Sequence, residues 1–197
     1  MRARMALAYS EITVDLREIS LKNRPKSLYE VSKKGTVPVL CINDNKVIDE
    51  SLDIMLWSLK NKDSNGWINN NLDSQLEIIE NNDTQFKHWL DKYKYFDRYP
   101  EKNRDYYRNR CNDFLVQIND MLMKNKFLMS DSLALVDIAI FPFIRQFSNV
   151  DQKWLYVNYE NIFIWLEGLL KSELFISVMN KYSENNGESL IVNFNCE

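Results

Sequence analysis

Two periods of apolar residues run along the chain, and the change from one to the other divides it. Met5, Ala6, Leu7 and Ala8 suit the end of a helix over residues 2–10, after which Ile12, Val14 and Leu16 alternate with polar residues as a strand does. Pro25 stands where the first turn of a short helix through Ser32 would accept it, and Gly35 can end that helix in a left-handed conformation. Residues 37–42 form an uninterrupted apolar run, read as a buried strand. Asn43, Asp44 and Asn45 then supply a turn, and Lys46, Val47 and Ile48 the returning strand of a hairpin. From Ser51 to about Lys60, Leu52, Ile54, Met55, Trp57 and Leu59 follow helical spacing.

Residues 61–71 are rich in Asn, Asp, Ser and Gly, with Trp67 and Ile68 the only large apolar anchors, and read as a linker. Beyond it every long apolar pattern is helical: 72–95 and 101–124, separated at Pro100, then 133–148, 160–170 and 172–182, with the last fifteen residues a tail. The expected organisation is a small α/β domain over 1–60, a linker over 61–71 and an all-α domain over 72–197.

Composition narrows the compartment more than the chemistry. With 197 residues and 45% hydrophobic content the chain can bury a core without staples. Its three cysteines, Cys41, Cys111 and Cys196, are widely spaced and odd in number, which points to neither a disulfide framework nor a metal site. The formal net charge is −3 and acidic and basic residues interleave, so no basic stripe suggests nucleic acid. The most apolar run, 133–144, is broken by Asp137 and Pro142 and falls short of the ~20 residues a bilayer span needs. A cytoplasmic protein without a membrane partner is expected.

The chemistry gathers around two short segments. A proline entering a strand, as Pro38 does, is disfavoured unless its missing N–H faces a site or an edge, which makes Val37–Pro38 a candidate cis bond. Such a bond turns the backbone of Val37 outward, where a peptide-like ligand can pair with it as an added strand. The other reading is an ordinary trans proline at a strand start. Glu50 and Ser51 open the following helix, whose N-terminal N–H groups favour a carboxylate. A ligand end carrying both carboxylate and ammonium would be held by Ser51 and Glu50 respectively, although plain helix capping explains the same pair.

Taken together, residues 21–25, 35–40 and 50–51 resemble the glutathione-binding half of a glutathione transferase, most closely the omega class. The resemblance implies an α+β two-domain fold, a thioredoxin-like N-terminal domain followed by an all-α C-terminal domain, with glutathione as co-substrate in the cleft between them and no metal. It places Arg24 near the glycyl carboxylate, Val37 against the cysteinyl backbone, Pro38 as the cis proline, and Glu50 with Ser51 on the γ-glutamyl group. Residues 86–95 and 136–147 look like a bacterial branch of the same family. There a buried Asp, here Asp137, caps the core helix with a Ser or Thr three residues earlier. Ala134 stands at that place, so Ser130, Asp131 or Ser132 is expected to supply the cap in another register.

The resemblance also implies a first strand and a Cys-Pro-x-Cys or similar segment ahead of Arg2, holding the catalytic cysteine. Met1 is therefore expected to be an internal methionine of a longer reading frame, with no catalytic residue in the chain as given. In a sheet ordered 2-1-3-4, lack of that strand would leave two apolar edges unpaired. The remaining candidates read as structural. His88 is a lone histidine, Cys41 and Cys111 are buried small hydrophobes, and Trp89, Lys92, Tyr93 and Tyr95 form an aromatic stripe that is either core or part of a second-substrate site. Two functions stay open: a glutathione-dependent thiol transferase acting on glutathionylated or electrophilic small molecules, with a homodimer as the family habit, or a non-catalytic binding module of the same fold.

Overall fold

The computed structural model describes residues 1–43, 46–68, 71–183 and 190–192. The chain divides into two compact units, one of residues 1–65 together with the segment from Ser172 onward, the other of residues 66–171.

In the first unit, α1 (Arg2–Tyr9) packs against α3 (Ser51–Asn61). The alanines of α1 let the backbones approach, and Met5 and Ala6 of α1 and Ile54, Met55 and Leu59 of α3 are all buried. Helix α1 ends with Glu11 at φ 54°, where Glu11 N–H donates to Ala8 O and Ile12 N–H to Leu7 O, the paired bonds of a Schellman turn. The same end is tied to the chain after α3, with Ser10 Oγ donating to Lys62 O at 2.8 Å and Tyr9 Oη to Asp63 Oδ1 at 2.8 Å.

The strands form two separate antiparallel ladders among the described residues. β1 (Val14–Leu16) pairs with β4 (Leu190–Val192), and β2 (Leu40–Asn43) pairs with β3 (Lys46–Ile48). The C-terminal segment expected to be a tail thus contributes a strand that pairs with β1, with Val14 opposite Val192 and Leu16 opposite Leu190. The hairpin turn at Asp44 and Asn45 lies outside the described residues, as does Cys196. The strand at 37–42 is not the buried one expected. It begins at Leu40, and Leu40 and Ile42 are half-buried while Cys41 is exposed, because pleating alternates the side chains and, among the described residues, only β3 pairs alongside.

The second unit is helical. α4 (Leu72–Asn81), a π-helical turn (Asn82–Phe86) and α5 (Lys87–Lys94) make one long helix whose inner stripe runs Gln75, Ile79, Asn82, Phe86, Leu90 and Tyr93. α6 (Arg104–Asn109) and α7 (Asn112–Leu122) follow, the pattern over 101–124 being broken at Arg110–Cys111. α8 (Leu135–Ser148) is buried on nearly every side, which accounts for its lack of a polar face, and it continues through Pro142. α9 (Gln152–Asn158), which the periodicity did not reveal, is capped by Asp151 Oδ1 on Trp154 N–H at 2.9 Å and leads to α10 (Glu160–Leu170). Phe86, Tyr93, Phe114 and Phe147 form an aromatic cluster with centroid separations of 4.8 to 6.0 Å.

The first turn of α8 corrects the capping expectation. Ala134 is the N-cap and has no side-chain acceptor, and none of Ser130, Asp131 and Ser132 replaces it: Ser130 bonds Ser132, and Asp131 accepts from Lys126 N–H. Instead Leu135 N–H donates to Trp67 O at 3.2 Å and Val136 N–H to Gln75 Oε1 at 3.0 Å. Asp137 reaches back to Ala134 N–H at 3.1 Å and also accepts from Leu128 N–H and Trp165 Nε1–H. The residues near Trp67, expected to be linker, therefore anchor this helix.

Candidate functional site

The short helix α2 (Lys26–Val31) begins after Pro25, whose fixed φ of −69° suits a helix entrance. It stops at Ser32, which is extended, and Gly35 N–H then donates to Ser32 O at 3.1 Å with Gly35 at φ 60°. A β-carbon at Gly35 would lie 2.3 Å from the Tyr29 ring, so both the dihedral and the close approach require glycine there. This turn delivers Thr36 and Val37 to the surface. The Val37–Pro38 bond is cis, and Val37 is 47% exposed. Among the described residues nothing pairs with its backbone N–H or C=O.

The second half of the site is the start of α3. Glu50 occupies the N-cap position with extended dihedrals and Ile54 N–H donates to its carbonyl, but no side chain caps this end. The Glu50 carboxylate turns instead to Lys34, whose Nζ donates to Glu50 Oε1 at 2.5 Å and to Asp49 Oδ1 at 3.2 Å. Asp49 is fixed in turn by the buried Ser32, whose Oγ donates to Asp49 Oδ2 at 2.7 Å. These contacts hold the Asp49 carboxyl below the usual range, the Ser32 hydroxyl first and Lys34 second, and raise the Lys34 ammonium through Glu50 and Asp49.

Glu50 and Ser51 are thus adjacent at one helix N-terminus, and Lys34 ties Glu50 to the loop that leads into Val37 and Pro38. Arg24 is exposed and precedes α2, on the opposite end of that helix from the loop carrying Val37 and Pro38. No hydrogen bond or ion pair joins it to the other four among the described residues. Sequence reading missed Lys34, Asp49 and Ser32. The only signal was the charge alternation between the 33–34 lysine pair and the 49–50 acidic pair, on segments whose contact needs the hairpin between them.

The other candidates separate by burial. Cys111 is buried, its Sγ donating to Tyr107 O at 3.6 Å, and burial pushes its thiol up to about 12. Cys41, expected to be buried, is exposed on β2 opposite Val47. Tyr93 is core, whereas Trp89 is half-buried with Lys92 and Arg110 over its ring at 5.0 and 4.8 Å. His88 is exposed, edge-on to Trp89. Among the described residues no cluster of His, Cys, Asp and Glu could hold a metal ion, and no helix is long and apolar enough to cross a membrane.

A search of curated proteins finds no match. Solved structures do match in fold. A glutathione S-transferase-I bound with lactoylglutathione shares 18% identity, with 90% of this chain and 91% of that one covered and a TM-score of 0.73. Glutathione transferase F2 from Populus trichocarpa shares 15% identity over 90% and 91%, with a TM-score of 0.75. Glutathione transferase URE2P6 from Phanerochaete chrysosporium, in complex with oxidized glutathione, shares 16% identity over 90% and 88%, with a TM-score of 0.76. The arrangement is therefore a thioredoxin-like N-terminal domain followed by a helical C-terminal domain. Residues 1–66 match the family model for the glutathione S-transferase N-terminal domain and residues 82–173 the model for its C-terminal domain, in that order and over well more than half the chain. The chain belongs to the glutathione S-transferase family.

Proposed function

We propose that the chain binds glutathione across the Val37 backbone and the N-terminus of α3, and serves glutathione-dependent thiol transfer in the whole protein. The observation that supports this best is the uncapped start of α3, where the Glu50 carboxylate faces outward. A γ-glutamyl end brings a carboxylate for the first-turn N–H groups and the Ser51 hydroxyl, and an ammonium for Glu50. The exposed backbone of Val37 pairs with the cysteinyl unit, and Arg24 meets the glycyl carboxylate from the far side of α2. That two of the fold's relatives carry lactoylglutathione and oxidized glutathione supports a ligand of the glutathione type.

In thiol transfer a cysteine thiolate attacks a glutathionyl disulfide, the partner thiol leaves as thiolate, and a second glutathione resolves the protein mixed disulfide as oxidised glutathione. Cys111 is buried and its thiol is raised by burial, which disfavours it as that nucleophile. The site residues supply the holding half of the reaction. The same observation favours a second reading, a binding module without chemistry.

Calorimetric titration with reduced glutathione tests the site. Saturable binding is expected, weakened about tenfold by Glu50→Gln. Wild-type protein that takes up no glutathione at millimolar concentration would remove the proposal. Reduction of a glutathionyl mixed disulfide, followed by release of its partner thiol, then separates transferase from module.

A further inference from the structure

We propose that Lys34 competes with the ligand ammonium for Glu50, so that it lowers the site's preference for ligand ends carrying an ammonium beside their carboxylate over ends carrying the carboxylate alone. The inference rests on the reading of Glu50 and Ser51 given above.

Its grounds are the contacts of one cation with two carboxylates. Lys34 Nζ bonds Glu50 and Asp49 at once, and the two acids differ in how firmly they are held. Asp49 is anchored by the buried Ser32 and is the less exposed of the two, whereas Glu50 has no second side-chain partner among the described residues and is more than half exposed. An ammonium arriving at Glu50 therefore displaces Lys34 from the freer acid while Asp49 retains it. The trio of Asp49, Lys34 and Glu50 carries a formal charge of −1, so a ligand that brings only an ammonium must compete with a cation already in place. A ligand that brings only a carboxylate finds Glu50 neutralised and gains nothing from it. One that brings both gains Glu50 for its ammonium only by displacing Lys34, which Asp49 retains.

The geometry also explains why Lys34 can do this without blocking the site. It lies on the loop held by the Gly35 turn, between Ser32 and Val37, so its side chain can exchange partners while its backbone stays put.

The test compares glutathione with its analogue lacking the γ-glutamyl α-amino group, by calorimetry on the wild-type chain, Lys34→Gln, Glu50→Gln and the double variant. With Lys34 gone the ligand amine no longer competes for Glu50. The preference for glutathione over the analogue is expected to rise about two- to fivefold in Lys34→Gln, the range an exposed ion pair commands. In the Glu50→Gln background the same Lys34 change is expected to leave that preference unaltered. Glutathione binding with a preference that stays constant or falls in Lys34→Gln overturns the inference alone. Failure of the wild-type chain to bind glutathione overturns the site reading with it.

Discussion

The side-chain carbonyl of Gln75 accepts the backbone N–H of Val136 at 3.0 Å, while the Gln75 amide donates to Trp67 O at 3.1 Å. A fully buried glutamine on α4 thus performs for α8 the service that a Ser or Thr at position 134 would perform locally, and it ties the residues around Trp67 to the same helix end.

Gln75→Ala is accordingly expected to strand the buried Val136 N–H, to remove one of the two donors to Trp67 O, and to lower stability by about 2–3 kcal/mol, read as a fall in the urea midpoint with unchanged slope. Ala134→Ser places a hydroxyl at the extended N-cap position and is expected to restore about 1 kcal/mol of that loss. If Gln75→Ala unfolds at the wild-type midpoint, Gln75 is not the cap.

This helix start shows where sequence reasoning succeeds and where it stops. Asp137 and the absent hydroxyl at Ala134 were both legible, because capping has a fixed local spacing. Its substitute was not, because Gln75 lies 61 residues away and only the packing of α4 on α8 brings it there. Its signal was a polar residue on the apolar stripe of a long helix. The same contrast holds at the candidate site. Val37, Pro38, Glu50 and Ser51 stand next to one another in pairs and could be named from turn and cap chemistry. Lys34 could not, since its meeting with Glu50 depends on how the intervening hairpin folds back. The pairing of β1 with β4 was hidden for a similar reason, since three residues near the C-terminus carry too short a period to announce a strand.

Asp137 makes stability depend on pH in a definite direction. Burial pushes its carboxyl from 3.8 up to about 6, against the pull of the Leu128, Trp165 and Ala134 donors. A folded-state value above the unfolded one means that the folded protein holds the extra proton between these limits. The associated stability is complete below about pH 3.8 and is lost as the pH rises through about 6. The sign is the reverse of the usual paired carboxylate. Asp137→Asn keeps an acceptor but cannot titrate, so the difference in unfolding free energy between wild type and variant is expected to drift across pH 4 to 6 and to be flat above pH 7. A difference that is flat across the whole range would show that the carboxyl titrates as it does in the unfolded chain.

The last prediction concerns the strand that the C-terminal segment lends to β1. Val192 pairs opposite Val14 and is 6% exposed, whereas its neighbour Ile191, opposite Asp15, is 79% exposed. Alternation of this kind means that one face of β4 is seated in the first unit and the other faces water. Truncating the seated residue should therefore matter and truncating the exposed one should not, although Ile191 is the larger side chain. Val192→Ala is expected to cost about 1–2 kcal/mol and to speed hydrogen exchange at the β1 amides of Val14 and Leu16, with Ile191→Ala within about 0.5 kcal/mol of wild type. Exchange at β1 is the deciding measurement, because it reports on the ladder itself and not on the chain as a whole. If β1 keeps its protection when Val192 is truncated, the strand is held by something other than β4. If both variants weaken it equally, the register that puts Val192 inward is wrong.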